Sequence, residues 1–398
     1  MIHRELAMNS LRILLAARDL DERNGGSLYV RDLALGLFRA GHAPIVFAQF
    51  LGEVAEELTR ATIPVAGDLR HVGIVPDVIH GQNIKPSLAA LLQFPHTPGL
   101  FVCHGWWGEP GTLPHFPRLL RYVAVDETVR DRLLAREGLA EPQVELILNS
   151  VDLDRFRPRP PLPVKPRRAL VFSNYAGEHT HLPVIREACT RLNLPLDVVG
   201  GASGHVCERP EELLGRYDLA FAKGRCALEA LAVGTAVVLC DFSGAGSMVT
   251  FQELERLRRL NFGCRAMQQP WSVDWLTRQI ERYDRDDARR THERIRTVAG
   301  LERAVAAHAR LCEEVVALHK NRQAVPVEAE FRALAQHLQR GGAGGGRNAE
   351  LGELRATNAR LRAECDDLRR LANAQRRRYA RRPLLASLGV QLARWARG

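Results

Sequence analysis

The chain has 398 residues, 46% of them hydrophobic, enough for two domains with cores of their own and too apolar for general disorder. Its formal charge is +10, but thirteen arginines against five acids from Arg347 onward supply +8 of that, so the rest is nearly neutral and a nucleic-acid partner is not expected. No run of about twenty apolar residues is long enough to span a membrane, Met1 to Glu5 leads into no apolar signal core, and the scattered cysteines, without a Cys-x-x-Cys pair, read as free thiols of a reducing cytoplasm.

Leu11 to Ala17 reads as a buried strand, followed by a polar loop from Arg18 to Asn24 that ends in Gly25-Gly26-Ser27. Leu28, Val30, Leu33, Leu37 and Phe38 recur at helical spacing, and Gly41 stops that helix. Strands follow at Pro44–Ala48, Asp77–His80, Leu100–Cys103, Tyr122–Val125 and Val144–Leu148, with helices over Pro86–Leu92 and Thr128–Arg136 between some of them. This alternation predicts a parallel sheet covered on both faces.

Proline-rich text from Pro158 to Pro166 marks a linker, after which the alternation restarts. Strands are expected at Ala169–Ser173, Leu196–Gly200, Asp218–Phe221 and Ala236–Cys240, with helices over Leu182–Leu192 and Ala227–Val233. Helical text runs on from Val249 to Leu338. The fold class is thus α/β, two doubly wound Rossmann-like domains with a cleft between them and a helical tail. The expected division is a first domain over 10–157, a linker over 158–167, a second domain over 168–330, a Gly-rich linker over 339–348 and a tail over 349–398. Ligands of such a pair bind where the carboxyl ends of the strands face each other.

In the tail, Leu351, Asn358, Cys365 and Ala372 share one heptad position, and Leu354, Leu361 and Leu368 share the other. This pattern suits a short coiled coil joining two copies, or a single amphipathic helix folded back on the body. Arg376-Arg377-Arg378 and Arg381-Arg382 precede Leu384, Leu388, Leu392 and Trp395, a basic and apolar end suited to peripheral contact with an anionic membrane face or to solvent.

Gly25-Gly26 between a strand and its helix lets backbone N–H groups approach a phosphate, with the helix N-terminus adding favourable charge. A dinucleotide site is disfavoured, because Gly-x-Gly-x-x-Gly is absent and no acid is placed to read an adenosine ribose. Metal readings are weak. Asp19-x-Asp21, Asp152-x-Asp154 and Asp284-x-Asp286 are short repeats, and His179, His181, His205 and Cys207 would need the fold to converge them.

Taken in order, several segments resemble the family 4 glycosyltransferases. Arg12 to Val46 resembles their opening strand, Gly-Gly loop and helix, Asp77-Val78-Ile79-His80 their "DVIH" segment, and Phe101 to Gly105 their strand ending in His-Gly. Val123 to Val129 resembles a strand–helix turn, Ile147 to Pro158 resembles "IpNGVDxxxFxP", and Leu228 to Val238 resembles "lEAmAxGtPVV". The resemblance implies a GT-B fold and transfer of a sugar from a nucleotide-diphosphate donor, with retention at the anomeric carbon, to a glycan or lipid-linked acceptor. No cofactor or metal is implied. By position, Gly25 and Gly26 would lie beside the donor phosphates or the acceptor, His104 would hydrogen-bond the sugar, and Glu229 would accept from the donor ribose. Two features depart from the pattern. Phe221 stands where the first glutamate of Glu-x7-Glu is expected, and the arginine and lysine that neutralise the diphosphate are missing from Phe172 to His179. Lys223 and Arg225 are the cations placed to substitute. The readings left open are a transferase, a nucleotide-sugar epimerase of similar shape, and a catalytically degenerate module that binds nucleotide or glycan and acts in assembly.

Overall fold

The computed structural model describes residues 10–105 and 113–342, with side chains to 339. The first half runs β1 (Arg12–Leu20), α1 (Gly25–Arg39), β2 (Ala43–Leu51), α2 (Glu53–Arg60), β3 (Val65–Ala66), β4 (Val78–Gly81), α3 (Ile84–Gln93), β5 (Gly99–Cys103), β6 (Leu119–Ala124), α4 (Glu127–Ala135) and β7 (Val144–Leu146). Its sheet has the order β3-β2-β1-β4-β5-β6-β7, and every adjacent pair is parallel. Ile13 to Ala16 are fully buried although successive side chains point to opposite faces, which requires cover on both sides of the sheet.

The second half runs β8 (Ala169–Phe172), α5 (Leu182–Arg191), β9 (Leu196–Val199), α6 (Pro210–Leu213), β10 (Leu219–Ala222), α7 (Gly224–Val233), β11 (Ala236–Asp241) and β12 (Gly244–Met248). The order is β12-β11-β10-β8-β9, parallel except for β12. The antiparallel β12 was not anticipated, because Gly244-Ala245-Gly246 carries little strand propensity; Gly244 has φ +156°, and a Cβ there would lie 2.6 Å from the Met267 carbonyl oxygen. The expected helical stretch from Val249 onward is broken into α8 (Leu254–Arg259), α9 (Val273–Glu281), α10 (Arg285–Val298), α11 (Leu301–Lys320) and α12 (Val327–Gly342).

The α11 helix corrects the expected boundary at 330. Leu301, Val305, Ala309, Cys312 and Val315 belong to the core of the first sheet, where α11 packs on α1. The approach is so close that a Cβ on Gly36 would lie 2.3 Å from Val305 Cγ2. Periodicity shows that a helix has a buried face, but not which sheet it buries that face against.

The chain therefore crosses between the halves twice, and the crossings pair with each other. Val151 N–H donates to the Ala299 carbonyl at 2.9 Å, and Leu301 N–H donates to the Val151 carbonyl at 3.0 Å. Val151 and Phe156 of the Asn149–Pro158 segment are fully buried. Arg296 donates to the carbonyls of Phe156 at 2.8 Å and Leu153 at 3.1 Å, tying the first crossing to α10.

Residues 1–334 form one compact unit and 335–398 a second, of which only the end of α12 is described. The heptads from Leu351 and the basic end near Trp395 lie outside the described residues. All described cysteines are free thiols. Among the described residues, no helix is long and apolar enough to cross a membrane.

Candidate active-site cleft

In each sheet the strand order reverses beside its first strand, between β1 and β4 in one and between β8 and β10 in the other. Most of the expected site residues follow strands at those points, and His104 follows the next strand along. Gly25 and Gly26 open α1 after β1, Lys223 and Arg225 open α7 after β10, and His104 follows β5.

Asn24 caps α1, its Oδ1 accepting from Gly26 N–H at 2.9 Å and Ser27 N–H at 3.0 Å. Neither glycine has a positive φ, and a Cβ on Gly25 would meet nothing within 4 Å. The protein's own packing thus gives no reason for glycine at 25. The α7 N-terminus differs, in that no side chain caps it. Gly224 N–H is taken by the Phe262 carbonyl at 3.1 Å, and the rest of the first turn, with Lys223 and Arg225 alongside, favours an anion.

Arg225 and Glu229 stand one turn apart on α7, and Arg225 Nε donates to Glu229 Oε1 at 2.7 Å. The same guanidinium pairs with Asp32 of α1, so one cation joins the two halves. Arg31 also holds Asp32, donating to Oδ1 at 2.9 and 2.6 Å. Burial pushes the Asp32 carboxyl upward, but Arg225 and Arg31 outweigh it and the net shift is down. Burial also pushes Glu229 upward; Arg225 only partly opposes this and nearby Asp32 adds to it, so Glu229 ends above the usual range. The partner of Glu229 in the structure is Arg225, a residue expected to meet phosphate.

Lys223 pairs with Asp241 at the end of β11. Its ammonium lies 4.7 Å from the ring centre of Tyr175 and 5.1 Å from that of Phe242, both exposed aromatics. Asp241 Oδ1 is buried without a hydrogen-bond partner, as are both ring nitrogens of His181, which stacks on Trp271 at 4.8 Å. Burial lowers the His181 pKa, with Asp241 opposing. Phe221, in the slot of the missing glutamate, is fully buried core between β8 and β11. Among the described residues, no group of three or more His, Cys, Asp or Glu side chains is arranged to hold a metal ion.

His104 is exposed just after β5, and Nε2 is 2.7 Å from Gln82 Oε1. Behind it Gln82 Nε2 donates to His80 Nδ1 at 2.8 Å, His80 Nε2 meets His308 Nδ1 at 3.1 Å, and His308 Nε2 meets Tyr29 Oη at 2.8 Å. The Tyr29 ring returns edge-on to His104, with centroids 4.7 Å apart. Desolvation holds His80 well below the normal imidazole range and His308 down to about 3. It lowers His104 to about 4, although solvent at its open side screens that effect. The sequence reading recorded His80 only as part of a motif and missed Asp32, Tyr29, Gln82 and His308. The alternation on β4 puts His80 on the same side as residue 82, but nothing local points to a partner 228 positions away.

Further contacts span the halves beyond this cluster. Arg259 Nε donates to Glu127 at 2.7 Å and Arg265 pairs with Asp131 at 2.6 Å. Between α4 and the segment around Arg265 lies a cavity of about 430 Å³ lined by Thr128, Asp131, Cys264, Arg265 and Gln268, among others.

Two sheets facing each other across such a cleft define the GT-B fold of glycosyltransferases, and residues 23–155 match the family model Glycosyltransferase Family 4. A solved glycosyltransferase from Rickettsia africae is similar over 79% of this chain and 100% of its own, at 18% identity and TM-score 0.60. The Anabaena protein HepE, solved with UDP-glucose, is similar over 76% of this chain and 100% of its own, at 13% identity and TM-score 0.55. No curated protein matches the chain in sequence.

Proposed function

We propose that the chain is a glycosyltransferase that takes its sugar from a nucleoside-diphosphate donor bound mainly at the α7 end of the second sheet, with the acceptor, a glycan or lipid-linked glycan, on the first. The observation that carries this is the α7 N-terminus, where an uncapped first turn, Lys223, Arg225 and buried Glu229 are gathered at a strand-order reversal. The diphosphate meets the helix N-terminus and Lys223, without a metal, and Glu229 accepts from the ribose through the oxygen that Arg225 leaves free. Gly25 and Gly26 admit donor or acceptor close to the α1 backbone. His104 hydrogen-bonds the transferred sugar. Transfer with retention rests on the family resemblance. HepE, of like fold, was solved with UDP-glucose, which supports a nucleotide-sugar partner.

A second reading has its own observation. Phe221 is sealed core, and both substitute cations are already ion-paired, as expected of a module that binds nucleotide or glycan without turning it over. Incubation with a panel of nucleotide sugars, following nucleotide release, separates the two. Release that Glu229→Ala abolishes supports the transferase. Silence with every donor despite tight nucleotide binding selects the binding module.

A further inference from the structure

The His104–Gln82–His80–His308–Tyr29 chain is directional. A neutral imidazole has one donor and one acceptor nitrogen, so each link fixes the next. Gln82 presents its carbonyl oxygen to His104 Nε2, which must therefore carry the proton. The Gln82 amide donates to His80 Nδ1, so the His80 proton is on Nε2. That N–H donates to His308 Nδ1, placing the His308 proton on Nε2, where it donates to Tyr29 Oη. Gln82, His80 and His308 are buried, and desolvation keeps His80 and His308 neutral, so no link can be doubly protonated. Gln82 is itself anchored, its N–H donating to the Ala16 carbonyl of β1 at 2.9 Å.

We propose that Gln82, His80, His308 and Tyr29 are positioning residues that hold His104 as its Nε2–H tautomer, leaving Nδ1 to accept a hydrogen bond from a substrate hydroxyl in the cleft. The chain reaches α11, the helix returning from the second crossing, so the tautomer of a cleft residue depends on that helix being docked against the first sheet. Reversing the chain needs the Gln82 amide to turn over and every proton to move together, so the His104 tautomer is a property of the chain as a whole. The link to catalysis rests on the proposed transferase function; the tautomer assignment does not.

The test is imidazole-nitrogen NMR on the full chain with ¹⁵N-histidine, assigned by single substitutions. The expected result is a protonated Nε2 and an unprotonated Nδ1 on each of His80, His104 and His308. Finding Nδ1–H on any of them overturns the proposal. Gln82→Leu should leave His104 as a tautomer mixture, while Gln82→Glu, read at a pH where the introduced carboxylate is ionised and so accepts from both sides, should keep His104 on Nε2–H and turn His80 to Nδ1–H. An unchanged His104 in Gln82→Leu, or an unchanged His80 in Gln82→Glu, refutes the relay. If Gln82→Leu does not fold, the wild-type and Gln82→Glu spectra decide. With an active donor in hand, Gln82→Leu should lower kcat about tenfold, the worth of one hydrogen bond, with KM little changed and Gln82→Glu within about twofold of wild type. Because tautomers are read without turnover, failure of the relay and failure of the transferase reading remain distinguishable.

Discussion

Replacing Arg225 by methionine keeps the aliphatic volume and removes the cation between Asp32 and Glu229. The Arg225, Asp32 and Glu229 side chains are 16%, 9% and 5% exposed, so solvent cannot replace the lost partner. Asp32 keeps Arg31, and the cost falls mainly on Glu229. Breaking a buried ion pair costs about 3–5 kcal/mol, and with only one carboxylate stranded the expected loss is about 3 kcal/mol at neutral pH. The pH dependence has a definite sign. Glu229 already sits above its ordinary 4.5, and losing Arg225 raises it further. The folded variant then binds a proton that the unfolded chain has released, so its stability falls as pH rises from about 4.5 through the folded value and is flat above it. Urea unfolding of variant and wild type at pH 5 and pH 7.5 should show the larger deficit at pH 7.5. Adding Glu229→Gln to the methionine variant should recover most of it. A deficit under about 1 kcal/mol, or one that does not change with pH, refutes the account of Arg225 as the charge partner of Glu229.

Gly36→Ala should cost about 1–3 kcal/mol by forcing α1 away from Val305 of α11; unaltered thermal unfolding would mean that the two helices are not packed as described. His80 and His308 stay neutral when folded but protonate when unfolded near 6.5, so stability should be lost as pH falls below about 6.5, at about 1.4 kcal/mol per pH unit for each histidine. Chemical unfolding in steps from pH 7 to pH 5 reads this slope, and His308→Phe should reduce it by about 1.4 kcal/mol per pH unit. Lys223→Met should weaken nucleoside-diphosphate binding about tenfold in calorimetry, one charge-assisted contact's worth; unchanged affinity would confine Lys223 to its pair with Asp241.

Much of the first half was legible because buried parallel strands are short continuous apolar runs with turn residues between them. Leu11 to Ala17, Asp77 to His80 and Leu100 to Cys103 each fall on an observed strand. Boundaries were less legible. The strand β1 continues through the polar Arg18-Asp19 to Leu20, since β2 pairs with it that far. Phe38, one of the apolar residues recurring at helical spacing in α1, is exposed. The α7 helix starts three residues before its expected position, at Gly224, and this puts Arg225 and Glu229 on one face of one helix.

The sequence by itself determined the alternation and the two sheets, because hydrophobic period and turn chemistry are local properties. It also supplied Glu229 and His104 as candidates through the family resemblance, and Lys223 and Arg225 as the cations placed to substitute for the missing arginine and lysine. Only the tertiary structure decided what they are bound to. Arg225 faces Asp32, 193 positions away, His80 faces His308 across 228, and α11 returns to the first sheet to complete both the core and the histidine chain. Such pairings depend on which surfaces the fold brings together, and no periodicity along one segment encodes the identity of a distant face.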